Sequence, residues 1–353
     1  SLMNKFRTVD LFCGGGGLSK GLQDAGFDIV AAFDFWTPAI DFYNQNIKGH
    51  AAYQQDLSDV KESVERIRKW KPAVIVGGPP CQDFSSAGKR DENGGRAELT
   101  TAYAKIVTSV RPQVFVMENV DRALKSVTYR EAIKTFSDEG YHMTIAVLDA
   151  SLCGVPQKRK RVVVVGSLKK PTASLVEIYK SMQSSEPMTI RDYLGDSLGI
   201  DFYYRHPRSY ARRGVFSVDE PSPTVRGVNR PIPGGYEGHP GDAAPITTPN
   251  LRPLTTKERS LIQTFPNEWN LVGAKSDVEQ IVGNAVPVKL GEFVGRAIKE
   301  LDRRDRIVDM PGKGVAYQVP DEVSRPVQEL MVFEQFVKYE TRRMRRFVLA
   351  DGK

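Results

Sequence analysis

Cys81 stands in the stretch GGPPCQDFSSAGKR, directly after Pro79-Pro80 and just past the apolar run AVIV. A buried filler, a metal ligand and a nucleophile are all open to it. A structural cysteine belongs within an apolar run, whereas this one lies beyond two prolines that stiffen the backbone and prevent regular helix, so its position favours the nucleophile. A thiolate at neutral pH requires a helix N-terminus or nearby cations. The following segment, with Gly88 and Gly94-Gly95 among charges, reads as a mobile loop able to close over a substrate. Farther on, VFVMENV ends an apolar run in Glu118-Asn119. A carboxyl in such a place has its pKa raised and can donate a proton near neutrality. In PQKRKRVVVVG, Gln157, Arg159 and Arg161 alternate, which in an extended chain puts them on one face. That suits a planar anionic or carbonyl-rich ligand, or simply an exposed strand start.

The segment DLFCGGGGLSKGL runs from an apolar stretch straight into glycines. Such a turn lets a ligand approach the backbone, or serves only as a tight strand-to-helix connection. A dinucleotide fingerprint spaces its glycines G-x-G-x-x-G, but Gly14, Gly16 and Gly17 are packed more densely, which gives less reason to expect a pyrophosphate. Asp34 ends the next apolar run, where a carboxylate can hold two ribose hydroxyls, and Asp56 follows AAYQQ, where it could accept from an exocyclic amine. Either acid alone would equally be a loop carboxylate or a helix cap. Three successive strand ends carrying a glycine turn, Asp and Asp point to a nucleoside.

Strand-like runs at Arg7 to Phe12, Asp28 to Asp34, Ala73 to Gly78, Val114 to Asn119, Met143 to Ala150 and Arg161 to Ser167 must position these residues. Helical patterns such as Val60 to Trp70 and Thr101 to Val110 alternate with them, which predicts an α/β fold with a mainly parallel, doubly wound sheet. Ligands on such sheets bind at the carboxyl ends of the strands, where Cys81 falls. After Arg191 the strand-helix rhythm gives way to Pro, Gly, Arg and Tyr until about Thr255, and helix returns near Lys289 to Leu301. The tail predicts an amphipathic helix with Leu330, Phe333, Val337 and Met344 on one face, its RRMRR run a solvated face.

A chain of 353 residues with 40% hydrophobic content can bury a sizeable core. No apolar run approaches the ~20 residues of a membrane span, and no secretory signal pattern is present, so a cytoplasmic protein without membrane attachment is expected. Ser1-Leu2 ahead of Met3 reads as an expression scar. The three cysteines are far apart with no C-x-x-C, and the four histidines show no ligand spacing, which argues against disulfides and a metal site. A net charge of +7 fits a polyanionic partner without demanding one.

Taken in order, these residues resemble the cytosine-C5 DNA methyltransferase family of bacterial and phage restriction-modification systems. DLFCGGGG is similar to its S-adenosylmethionine loop, GGPPCQDFS to its proline-cysteine motif, MENV to its Glu-Asn-Val motif and QKRKR to its Gln-x-Arg-x-Arg motif. RPLTTKERSLIQTFP and GNAVPVKL resemble its closing segments, and the resemblance runs from Thr8 to about Leu301. It implies a Rossmann-like methyltransferase sheet over 3–195, a smaller irregular target-recognition domain and hinge over 196–274, a return to the catalytic domain over 275–302 and a C-terminal extension over 303–353.

The resemblance also implies roles. Cys81 would add to C6 of a flipped-out cytosine, Glu118 would donate at N3, Arg161 would hold the O2 carbonyl and Arg159 would support the Glu118 and thiolate charges. Phe12, Gly14, Gly16, Asp34, Phe35, Asp56, Leu57, Pro80, Leu99 and Asn284 would bind S-adenosylmethionine, with S-adenosylhomocysteine as product. Position 13 is Cys where the family often has Ala, and Asp34-Phe35 stands where Glu-Trp is common, which leaves the adenine contact less secure than the ribose one. Double-stranded DNA would be met by Gln82, Ser85, Arg205, Arg208, Arg212, Arg213, Thr224, Arg226 and Arg230, with Tyr203, Tyr204 and Tyr210 available for stacking. A monomer is expected, with a cognate restriction endonuclease as a partner in the same system. The competing readings are a transfer-RNA methyltransferase of the same architecture, a catalytically silent DNA-binding homologue and a nicotinamide oxidoreductase. The first lacks its Cys-Phe-Thr motif here, the second sits badly with intact Cys81, Glu118, Arg159 and Arg161, and the third explains only the glycine loop.

Overall fold

A computed structural model describes residues 5–80, 97–169, 172, 174–308 and 330–332. Cys81, Gln82, Ser85, the loop expected after them and most of the tail lie outside the described residues.

The apolar runs form β1 (Arg7–Leu11), β2 (Asp28–Asp34), β3 (Ala52–Gln54), β4 (Val74–Gly77), β5 (Val114–Val120), β6 (His142–Asp149) and β7 (Lys160–Ser167). With β10 (Leu330–Val332) they make one sheet in the order β10-β6-β7-β5-β4-β1-β2-β3. Strands β1 to β5 pair in parallel, while β7 runs antiparallel to both β5 and β6. The run Val162 to Val165 is buried throughout because helices cover both faces of the sheet. Leu330 pairs with Ala146 in an edge strand rather than lying in the expected helix. The edge of β6 takes backbone partners from an added strand, which a helix cannot supply.

One face of the sheet packs Val9, Leu11, Ile75, Phe115 and Met117 against α3 (Val60–Arg68), α4 (Ala97–Val110) and α5 (Val127–Asp138). The other packs Val74, Val76, Val116, Val163 and Val165 against α1 (Gly17–Asp24), α6 (Leu175–Met182) and α10 (Val288–Val308). Helices α1 and α10 meet backbone to backbone: a Cβ on Gly21 would lie 2.3 Å from the Val288 carbonyl oxygen and 2.6 Å from the Glu292 nitrogen. A third cluster joins α2 (Thr37–Asn46) and α9 (Lys275–Asn284) to Tyr203, Phe216, Val218 and Val225 of the irregular region. That region carries a short sheet of β8 (Phe202–Tyr204) and β9 (Val215–Ser217), with α7 (Ile190–Leu194) before it and α8 (Thr256–Ile262) after it. Helices α6 and α9 are short elements that the sequence reading passed over. Among the described residues no helix is long and apolar enough to cross a membrane.

Asp10 is buried in the middle of β1, and its carboxylate accepts from Ser19 Oγ of α1 at 2.6 Å. Burial pushes its pKa up to about 7, against the Ser19 hydrogen bond and with a smaller contribution from Asp34. A carboxyl raised above its unfolded value stabilises the fold at low pH, and that stability is lost as pH rises from about 4 to about 7. Asp10→Asn keeps an acceptor for Ser19 and removes the titration. Urea unfolding should show it equal to the parent near pH 4 and more stable at pH 8 by roughly 2 to 4 kcal/mol. An equal pH dependence in both proteins would refute this account of Asp10.

Candidate active site

The carboxyl ends of β1 to β5 share one edge of the sheet, and β7, being antiparallel, begins at that edge. In the β5–β7 ladder Val120 pairs with Arg161 and Glu118 with Val163, so Glu118 and Arg161 are diagonal neighbours on one face. Arg161 Nε lies 3.2 Å from Glu118 Oε1, and both side chains are nearly buried. Burial raises the Glu118 pKa, opposed first by Arg161 and then by Arg159. The carboxyl also lies close above Gly78, where an added Cβ would fall 2.8 Å from Oε2. The strand that leads to the prolines and the carboxyl on β5 thus approach as closely as a glycine allows.

Asn119 faces the opposite way and its Nδ2 donates to the Pro79 carbonyl at 2.8 Å. This fastens the turn leading to position 81, a role that the motif MENV signalled only as a pair of polar residues after an apolar strand. The other two cysteines do not compete for nucleophilic work: Cys13 and Cys153 are buried and burial pushes both thiols up, away from thiolate.

Gln157 and Arg159 are not the exposed strand start that was the alternative to a ligand site. β7 begins only at Lys160, and both residues lie in the preceding loop, almost wholly buried. Arg159 Nη1 donates to the Val225 carbonyl (2.9 Å) and to Gln157 Oε1 (3.1 Å), and Nη2 to the carbonyls of Gly283 (2.9 Å) and Ala285 (3.1 Å). Its buried Nε has no hydrogen-bond partner among the described residues. Glu118 is felt through its charge rather than through a hydrogen bond. Gln157 Nε2 in turn donates to Gln263 Oε1 at 2.7 Å, and Gln263 Nε2 donates to the carbonyls of Val282 and Ala285. The carbonyls that Arg159 meets belong to distant segments of the protein itself.

At the glycine turn Phe12, Gly14 and Gly16 all have positive φ, of 57°, 52° and 95°. For Phe12 this is a strained conformation, of a kind that gathers at functional sites. The Gly14 amide donates to Asp34 Oδ2 (2.8 Å) and the Trp36 amide to Oδ1 (3.0 Å), which holds the carboxylate across the turn. Burial raises the Asp34 pKa and these amides oppose it. Phe35 is 65% exposed beside it, an open aromatic face. Asp56 is exposed and holds the Ser58 amide and hydroxyl, whereas Leu57 is buried in the core. Pro80 and Asn284 are exposed and Leu99 is half-buried. An amide-fixed carboxylate between a glycine turn and an exposed aromatic ring suits a nucleoside ligand.

Of the residues expected at DNA, Arg208, Arg212 and Arg230 are exposed. Arg213 ion-pairs with Glu220 at 2.6 Å and its guanidinium lies 4.2 Å from the Phe216 ring centroid. Arg205 donates to the Thr224 carbonyl and Arg226 to the His206 carbonyl, while Thr224 Oγ1 donates to the Lys158 carbonyl. Tyr203 and Tyr204 are 1% exposed and belong to the core, so of the three tyrosines only Tyr210, 59% exposed, has a face free to stack. Asp242 was missed: it accepts from the amides of Gly214, Val215 and His239 and from the Tyr236 hydroxyl, knitting the region together from an isolated acid in a Gly/Pro-rich stretch.

The model of the C-5 cytosine-specific DNA methylase family matches residues 6–300. The chain is 53% identical over 297 residues to the type II methyltransferase M.HindV of Haemophilus influenzae, covering 84% of this chain and 97% of that protein. It is also 53% identical over 293 residues to the type II methyltransferase M.HgiDI of Herpetosiphon aurantiacus, covering 83% and 94%. The chain belongs to the C-5 cytosine-specific DNA methylase family. Among solved structures, the S. pombe Dnmt2 methyltransferase aligns with a TM-score of 0.60 at 20% identity, over 84% of this chain and 99% of that one. At that identity the likeness shows the fold alone, a Rossmann-like α/β methyltransferase sheet.

Asn119→Ala removes the donor that fixes the Pro79 carbonyl. We expect it to lower the rate of methyl transfer at least about tenfold while costing only about 1 to 3 kcal/mol in folding. Single-turnover rates alongside unfolding curves separate the two; a rate loss no larger than the loss of folded protein would remove the positioning role.

Proposed function

We propose that this chain is a DNA (cytosine-5-)-methyltransferase that transfers a methyl group from S-adenosylmethionine to C5 of a flipped-out cytosine in a specific duplex sequence. The observation that carries the reading is the Glu118–Arg161 ion pair, nearly buried and set close to Gly78 and the prolyl turn that leads to Cys81.

Cytosine C5 is a poor nucleophile, so a thiolate must first add to C6. Cys81 forms that bond, and the ring becomes an enamine whose electron pair is available at C5. Glu118, its pKa raised by burial, donates at N3 and relieves the negative charge that addition creates. Arg161 holds the O2 carbonyl, and Arg159 adds positive charge from a fixed, buried position. S-adenosylmethionine, when bound, would supply the electrophilic methyl, with S-adenosylhomocysteine as the product. Asp34 fits the ribose, Phe35 the adenine face and Asp56 its edge, with Phe12, Gly14 and Gly16 forming the turn beneath and Leu57, Pro80, Leu99 and Asn284 around them. A base takes the C5 proton, the electron pair of that bond forms the C5–C6 double bond as the Cys81 thiolate leaves, and the N3 proton returns to Glu118, which restores the aromatic ring.

The target is extracted from double-stranded DNA, and Gln82, Ser85, Arg205, Arg208, Arg212, Arg213, Thr224, Arg226 and Arg230 form the surface that meets the duplex. The division into a catalytic part over 3–195 and 275–302 and a recognition part over 196–274 follows from this reading. A monomer acting in the cytoplasm beside a cognate restriction endonuclease is the arrangement it implies.

Cys81→Ser should abolish transfer of radiolabelled methyl to duplex DNA, and transfer at the normal rate would eliminate the covalent route. Arg161→Ala should reduce transfer at least about a hundredfold, with DNA affinity changed far less, because its contact is to the reacting ring. A defect confined to binding, read by fluorescence anisotropy, would contradict that assignment.

A further inference from the structure

Three consecutive carbonyls, those of Thr224, Val225 and Arg226, each accept from an arginine of a different element. Arg205, following β8, donates to Thr224 (2.5 Å), Arg159, preceding β7, to Val225 (2.9 Å), and Arg259 of α8 to Arg226. The backbone leading into Arg226–Arg230 is therefore held from three sides. The first two contacts lie in the machinery already described, but Arg259 has no part in it.

Arg259 is 6% exposed, and a buried guanidinium needs a counter-charge. Glu279 of α9 supplies it: the two form an ion pair, and Glu279 also accepts from Thr256 Oγ1 at 2.6 Å. The same helix presses on the segment directly, since a Cβ on Gly283 would lie 2.1 Å from the Gly227 nitrogen. Beyond Gly227 the chain turns outward, with Val228, Asn229 and Arg230 exposed. Arg226 and Arg230 line one shallow cleft with Arg205, His206 and Arg259.

We propose that Arg259, held by Glu279, is a positioning residue for sequence discrimination: it fixes the Arg226 carbonyl so that the side chains of Arg226–Arg230 meet base edges in one geometry. This rests on the reading that the segment faces DNA. Forked arginine contacts reward the right base only when the guanidinium is correctly placed, whereas phosphate contacts tolerate displacement. Freeing the carbonyl therefore weakens the choice among sequences more than it weakens binding or chemistry.

The test uses the full chain and two duplex oligonucleotides, one carrying the methylated sequence mapped for the parent protein and one differing from it by a single base pair. The ratio of kcat/KM on the two is independent of the fraction of active protein, so partial misfolding does not disturb it. Glu279→Gln and Arg259→Met should each reduce this ratio about tenfold or more, mainly by raising turnover on the altered site relative to the mapped one. Arg259→Lys, which keeps a charged donor, should restore much of it. A ratio equal to the parent's in both variants, or a fall in kcat shared equally by the two duplexes, overturns the proposal. Failure of the parent protein to methylate any duplex would instead strike at the DNA reading itself.

Discussion

A buried guanidinium must find acceptors, and in this protein one such demand organises the molecule. Arg159 lies almost wholly inside the fold, where an unmatched charge would cost several kcal/mol. It is met by oxygens from Gln157, Val225, Gly283 and Ala285, which belong to stretches of chain far apart in sequence. The start of β7, the segment leading to Arg226–Arg230 and the turn after α9 are thereby held around one side chain. Gln157 and Gln263 extend the same junction, each using its amide as both donor and acceptor.

The geometry of the reacting edge depends on that junction and on the direction of β7. A seventh parallel strand would have carried its start, and Arg161 with it, to the far edge of the sheet. Running antiparallel, β7 begins beside the end of β5 and sets Arg161 diagonally across from Glu118. Gly78 then allows the carboxyl to lie close to the backbone of the prolyl turn, and Asn119 holds that turn by its carbonyl. Arg161, Glu118 and the prolyl turn are each positioned by an element of the sheet itself, which is stiffer than any loop.

Much of this was legible in the sequence wherever the signal is local. Strand ends follow from apolar runs, so the positions of Asp34, Asp56, Glu118 and Asn119 at one edge could be inferred, and the motifs around them are short and contiguous. The interior roles were not legible. Gln157 and Arg159 find their partners at Val225, Gln263 and Gly283, and nothing within a few residues of QKRKR announces that burial. Tyr203 and Tyr204 look like stacking residues in a run of arginines and tyrosines, but their rings are buried, Tyr203 in the cluster with Phe216 and Val218, while Phe202 beside them is only half-buried. Arg213 likewise reads as a free cation until Glu220, beyond a turn, is seen to pair with it.

The close contact between α1 and α10 bears on synthesis as well as on structure. Helix α1 follows the glycine turn, yet the backbone on which it rests is supplied by Val288 to Glu292, near the other end of the described chain. At ~5–20 residues per second, a ribosome needs on the order of half a minute to make the intervening segment. During that time α1 can lie against the sheet through Leu18 and Leu22, but its Gly21 face has no α10 backbone to meet. The contact that seats the helix after the glycine turn is thus completed only when α10 has been made.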